Sequence, residues 1–157
     1  IAFLVDNGYL ALHLFPLATR QEYLAALHGL SHQKYVYEAA GGGEAHIALK
    51  LLVGNYLRHK FGKDVLYEHP VFGYFPDVMT ADNRVVVECG HTHNPEKIFA
   101  YFKQGRVEEC ILVPYPDPEE QNVTAYSFTA LSELTGFLDF WESEKNLAIK
   151  NKLRHRR

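Results

Sequence analysis

At 157 residues, 47% apolar and 22% charged, the chain has the composition of one globular domain with room for a core of its own. Sixteen Lys and Arg against nineteen Asp and Glu give a net charge of −3, which argues against a surface coated in phosphate-binding side chains. No apolar run is long enough to cross a bilayer, and residues 1–5 are cut short by Asp6-Asn7-Gly8, too early for a signal peptide.

In chain order, residues 1–5, the Asp6-Asn7-Gly8 turn and residues 9–15 read as a β-hairpin. With Ile1 rather than Met at the start, upstream residues are expected to be missing. Thr19 begins a helix reaching about Leu30, with Glu22 as its capping-box partner. Residues 34–38 read as a short strand, and Gly41-Gly42-Gly43 breaks the chain. That triplet divides an N-terminal hairpin-and-helix extension, residues 1–43, from a core, residues 44–157.

The core opens on the clearest helix, residues 44–61. Ile47, Leu51, Leu52 and Tyr56 form its apolar stripe, and Gly62 is placed to end it. Residues 64–71 read as a strand. A second hairpin follows: the apolar and aromatic residues 72–79, a turn at Ala81-Asp82-Asn83, and the β-branched run ending at Val87. Asn94 caps a helix with Pro95 at its first position and an apolar face of Ile98, Phe99 and Phe102, closed by Gly105. Residues 107–115 form a buried strand around Cys110-Ile111-Leu112-Val113. Residues 123–128 suggest another strand, and a long helix with Phe137, Leu138, Phe140 and Trp141 runs from Thr129 onward. Lys145, Lys150, Lys152, Arg154, Arg156 and Arg157 make its end basic, which suits a helix C-terminus and offers a nucleic-acid contact. Cys89 and Cys110, each in a buried strand and neither in a CxxC pair, point to free thiols in a reducing, cytoplasmic setting.

The chemistry concentrates in the second hairpin. Phe75-Pro76-Asp77-Val78 and Glu88-Cys89-Gly90 bracket it, so two strands joined tightly bring Asp77 and Glu88 side by side. Both carboxylates stand in apolar runs, where a charge needs a partner. Two carboxylates at adjoining strand ends are a hard-oxygen site for a divalent ion such as magnesium. Such an ion can activate water and stabilise the charge of an attacked phosphodiester. His91 and His93 add imidazoles able to act as general base or metal ligand.

From Glu44 to Tyr115 the order is helix, strand, strand, strand, helix, strand. With Pro76-Asp77 and Glu88 where they are, this stretch resembles the PD-(D/E)xK nuclease superfamily, of restriction-endonuclease-like fold. The resemblance implies an α/β (α+β) domain with a four-stranded mixed central sheet flanked by helices. It implies Mg2+ or Mn2+ held by Asp77 and Glu88, with Glu44 as the first-helix acid completing the metal shell, and hydrolysis of nucleic-acid phosphodiesters, DNA in preference to RNA. The family lysine belongs two residues after the glutamate, where this chain has Gly90. Some members supply that lysine from the following helix, and Lys97, one turn into it, is the first candidate, followed by His91 and His93. Gly90 itself would let a backbone or phosphate approach closely.

Two further readings stand beside this one. The missing lysine suits a degenerate nuclease fold that binds nucleic acid or a protein partner without cutting. The histidines suit a zinc-dependent hydrolase, for which no third His or Cys lies at ligand spacing. Because residues 10–15 are apolar on both strand faces, the N-terminal hairpin is expected to form a homodimer surface or a substrate clamp.

Overall fold

The computed structural model describes residues 1–91, 94–105 and 107–155. His93 lies outside the described residues, as do Arg156 and Arg157 of the basic tail. The elements run α1 (Ala2–Asp6), β1 (Leu10–Thr19), α2 (Arg20–His28), a 3-10 turn (Leu30–His32), α3 (Glu44–Phe61), β2 (Val65–Tyr67), β3 (Val78–Thr80), β4 (Val85–Cys89), α4 (Pro95–Lys103), β5 (Glu109–Val113), β6 (Asn122–Ala130) and α5 (Leu134–His155). No described helix is long and apolar enough to cross a membrane.

The sheet has six strands in the order β1-β6-β5-β4-β3-β2, where four were expected. Neighbours are antiparallel except β4 and β5, which are parallel and joined through α4. The crossover helix makes that parallel pair possible, because a parallel connection must travel the length of the sheet and back. β4 is buried at all five positions, as its uninterrupted Val85-Val86-Val87 run requires of a strand covered on both faces.

Strand alternation sends side chains into two cores. Met79, Val86, Cys110, Leu112 and Phe128 meet α4, α5 and Leu4 of α1 on one face. Val78, Val85, Val87, Ile111 and Val113 meet Leu49, Val53 and Leu57 of α3 on the other. The stripe that α3 lays on the sheet is therefore offset from the expected Ile47, Leu51, Leu52 and Tyr56. Of those four only Leu51 is buried. Gly54 in the middle of α3 is a spacing residue: a Cβ there would lie 2.1 Å from the Tyr67 hydroxyl. Cys89 and Cys110 are both free and buried.

The N-terminal hairpin does not form. Residues 2–6 are helical, and β1 pairs instead with β6 across the chain, from Leu10 opposite Ala130 to Thr19 opposite Asn122. The first forty-three residues thus contribute a strand to the same sheet rather than an appendage. Pro16 sits in β1 next to a register shift, which only an edge strand tolerates. Residues 34–38 form turns instead of a strand, and Tyr35 takes a φ of 68° to lay its ring 3.8 Å from the Arg58 guanidinium. β2 stops at Tyr67, because Glu68 turns with a φ of 51°.

Candidate active site at one end of the sheet

Register builds the site. Val78 faces Val87 across β3 and β4, so one step outward Asp77 stands opposite Glu88. Tyr67 faces Val78 across β2 and β3, so Glu68 stands opposite Asp77, and the Glu68 N–H donates to the Asp77 carbonyl at 3.2 Å. Three neighbouring strands thus end in a row of acids, Glu68, Asp77 and Glu88. Each acid meets a basic side chain from a flanking helix.

Asp77 lies just beyond the end of β3, and its carboxylate takes over where the ladder stops. Oδ2 accepts the Cys89 N–H at 2.7 Å, a backbone donor left without a strand partner. Oδ1 is 3.0 Å from His46 Nε2. The other imidazole nitrogen, Nδ1, is 3.3 Å from the Tyr115 hydroxyl. His46 comes from the first turn of α3 and Cys89 from β4, so two elements meet the carboxylate, and Tyr115, after β5, backs the imidazole.

Glu88 turns toward the opposite layer. Its Oε1 accepts the Tyr101 hydroxyl at 2.7 Å and lies 2.9 Å from Lys97 Nζ. Lys97 Nζ also reaches the Phe75 carbonyl at 3.5 Å. Asn94 accepts the Glu96 N–H as N-cap and Pro95 begins the helix, which places Lys97 in the first turn and Tyr101 one turn on. A cation at a helix N-terminus works against the helix dipole. Its position there is accounted for by the carboxylate it meets, whose side chain is only 8% exposed. Burial is the main influence on Glu88 and pushes its carboxyl up to about 7, although Lys97 and Tyr101 both pull it down; the Asp77 charge adds to the rise. The two acids therefore feel one another. Tyr101, buried and beside that carboxylate, is held well above the ordinary phenol range.

A second basic residue of α3 completes the row. Lys50, one turn beyond His46, is fully buried, and its Nζ lies 3.3 Å from Glu68 Oε1. The glycine triplet lies over this corner: a Cβ on Gly41 would come within 2.7 Å of Glu68 Oε1, and one on Gly42 within 2.8 Å of His46 Cδ2. Its glycines serve close approach, not a domain boundary.

Of the residues singled out from sequence, Lys97 meets Glu88 directly, and Asp77 stands opposite Glu88 in register with its own carboxylate bonded toward α3. Glu44 stays apart: it is exposed in the first turn of α3, and no hydrogen bond or ion pair joins it to Asp77 or Glu88 among the described residues. His46, two residues on, is the side chain of this turn that reaches the Asp77 carboxylate. His91 is exposed and packs edge-on to the Tyr115 ring at 5.2 Å, with no bond to either acid. No group of three His, Cys, Asp or Glu among the described residues is arranged to hold a metal ion, which leaves the zinc reading without a ligand set.

His46, Lys50, Glu68, Tyr101 and Tyr115 were missed. Two signals were available. His46 and Lys50 are four apart on one helix, as are Lys97 and Tyr101, so each pair shares a face. Glu68 and Tyr115 carried no such signal, because their places depend on where β2 and β5 end.

The carboxylate oxygens of Asp77 and Glu88 are donors of the hard type that divalent ions such as magnesium take. Glu88 Oε2 makes no hydrogen bond among the described residues. Asp77 keeps one lone pair on each oxygen beyond those its two partners take. Two carboxylates are few for a closed cage, but magnesium commonly binds through one or two, keeping water and substrate phosphate as its other ligands. Comparison with protein-family models, curated proteins and solved structures gives no match to this chain.

Proposed function

We propose that the protein is a metal-dependent nuclease of the PD-(D/E)xK type, with Asp77 and Glu88 as the carboxylates that would hold Mg2+ or Mn2+ and Lys97 as the catalytic lysine. One observation carries the reading: the Lys97 ammonium, supplied from α4, lies 2.9 Å from Glu88, which stands opposite Asp77 at the open end of the hairpin. The order of α3, β2, β3, β4, α4 and β5, with β4 parallel to β5, supports it, being the helix-strand arrangement that the resemblance implies. On this reading β1 and β6 extend a four-stranded restriction-endonuclease-like core.

The bound ion would supply Lewis-acid stabilisation of phosphoryl charge and a more acidic water. The chain supplies the rest. Tyr101 and Lys97 fix Glu88 Oε1 and leave Oε2 for the ion. Lys97, with 22% of its side chain exposed, offers its remaining donors to a phosphate oxygen entering from solvent. A positioned cation is worth most where charge develops in the transition state.

A cleavage assay on single- and double-stranded DNA and RNA, with Mg2+, Mn2+ or chelator, tests this directly. The parent should cut at least one substrate with metal and none with chelator. Asp77→Asn should be inactive, and Lys97→Ala should lose on the order of a hundredfold in rate while still binding nucleic acid. A parent that binds nucleic acid but cuts none of these substrates with either metal is a degenerate nuclease fold, and the enzymatic reading is then wrong.

A further inference from the structure

We infer that His46, held by Tyr115, is a positioning residue that fixes the Asp77 carboxylate for a divalent cation, and that the Tyr115 ring fills the space a motif lysine would need. The inference rests on the metal-dependent reading above and goes beyond it, because neither residue belongs to the acid-and-lysine set.

Asp77 is gripped at both oxygens. The Cys89 N–H holds Oδ2 at 2.7 Å, and His46 holds Oδ1 at 3.0 Å. An ionised carboxylate only accepts, so His46 Nε2 carries the hydrogen of that bond. Nδ1 lies 3.3 Å from the Tyr115 hydroxyl, a group that can donate to it or accept from it. The chain Tyr115–His46–Asp77 holds the imidazole ring and the carboxylate plane together. Outer groups that hold a metal-binding carboxylate in this way generally control how well it binds.

Two glycines make room for the chain. Gly42, at a φ of +82°, passes over the imidazole so closely that a Cβ would lie 2.8 Å from Cδ2. Gly90, at a φ of +98°, lies against the phenol ring, where a Cβ would be 3.3 Å from Tyr115 Cε2. Gly90 is the position at which the nuclease motif has its lysine. A lysine there would take a strained left-handed backbone and press its Cβ on the ring. The site thus places Tyr115 where that side chain would rise from the strand, and draws its ammonium from Lys97 instead.

Titration of the full chain with Mn2+, followed by the electron paramagnetic resonance of the free ion, tests this without reference to turnover. His46→Ala should weaken Mn2+ binding about 10- to 100-fold. His46→Gln, whose amide nitrogen can stand near the place of Nε2, should recover most of that loss. Tyr115→Phe keeps the ring and should show a smaller loss in the same direction. Thermal melts identify the variants that fold, and if His46→Ala does not, Tyr115→Phe decides. Parent-like Mn2+ affinity in a folded His46→Ala or, failing that, in Tyr115→Phe overturns the inference while leaving the metal reading intact. Equal weakness of His46→Gln and His46→Ala overturns it as well. A parent that binds no Mn2+ overturns the metal reading, and this inference with it.

Discussion

Glu88 carries the sharpest conflict between burial and charge in the molecule. Its carboxyl is pushed up from 4.5 to about 7 by burial, against the pull of Lys97 and Tyr101. The folded state therefore holds a proton that the unfolded chain has already released between these two values. Folding is favoured by this group below about pH 4.5, and that contribution fades as pH rises toward 7. Glu88→Gln keeps the shape and removes the ionisation. Urea unfolding of parent and variant across this range should show the parent losing stability relative to Glu88→Gln as pH rises. A constant difference between the two would mean that Glu88 ionises in the fold as freely as in the unfolded chain. The opposition of Asp77 to Glu88 and the approach of Lys97 to Glu88 were legible in the sequence because local rules set both. A tight hairpin opposes the acids, and the Asn94-Pro95 helix start sets the lysine's height. Glu44 was misassigned because a helix start fixes which residue comes first but not which one reaches the carboxylate; that residue is His46.

Among the elements, those with explicit terminal chemistry were read correctly. Thr19 accepts the Glu22 N–H at 3.0 Å, and Glu22 Oε1 accepts the Thr19 N–H at 3.1 Å, closing the expected box. Gly62 ends α3 in the left-handed conformation, as its position suggested. Turn chemistry alone was a weaker guide: residues 7 and 8 do turn, with Gly8 at a φ of 77°, but the turn follows a helix instead of joining two strands. Five apolar residues at the start of the chain fit a strand or one turn of buried helix equally well, and α1 forms because Leu4 reaches the core beside α5. Thr19 also ends β1, so its cap fastens the edge strand to α2. Thr19→Ala should cost about 1 kcal/mol, read as a lower urea midpoint at constant slope. No shift in midpoint would mean that the cap is redundant with the backbone bond from Arg20 to the Gln121 carbonyl.

For the whole molecule, strand order ties residues 1–43 to the rest of the sheet through β1. β1 is an edge, but the strand it covers, β6, runs nine residues and sits between β1 and β5. Removing residues 1–43 would leave β6 as a long open edge carrying Val123, Ala125 and Phe128, a template for pairing between chains. It would also take Leu4 and Leu10 from one core and Ala18 from the other, so both layers lose packing together. The glycine triplet would go as well, uncovering His46 and Glu68. A chain of residues 44–157, although it holds Asp77, Glu88 and Lys97, should therefore aggregate or lack a cooperative thermal transition, and should bind Mn2+ less tightly than the full chain. Circular dichroism melts and size-exclusion chromatography of the two chains make the comparison. A monomeric 44–157 chain that melts cooperatively would show that α3 through α5 is self-sufficient and that β1 is an addition to a finished core. In the full chain the edge beside β6 is β1, a strand that Pro16 and its register shift make a poor template for pairing.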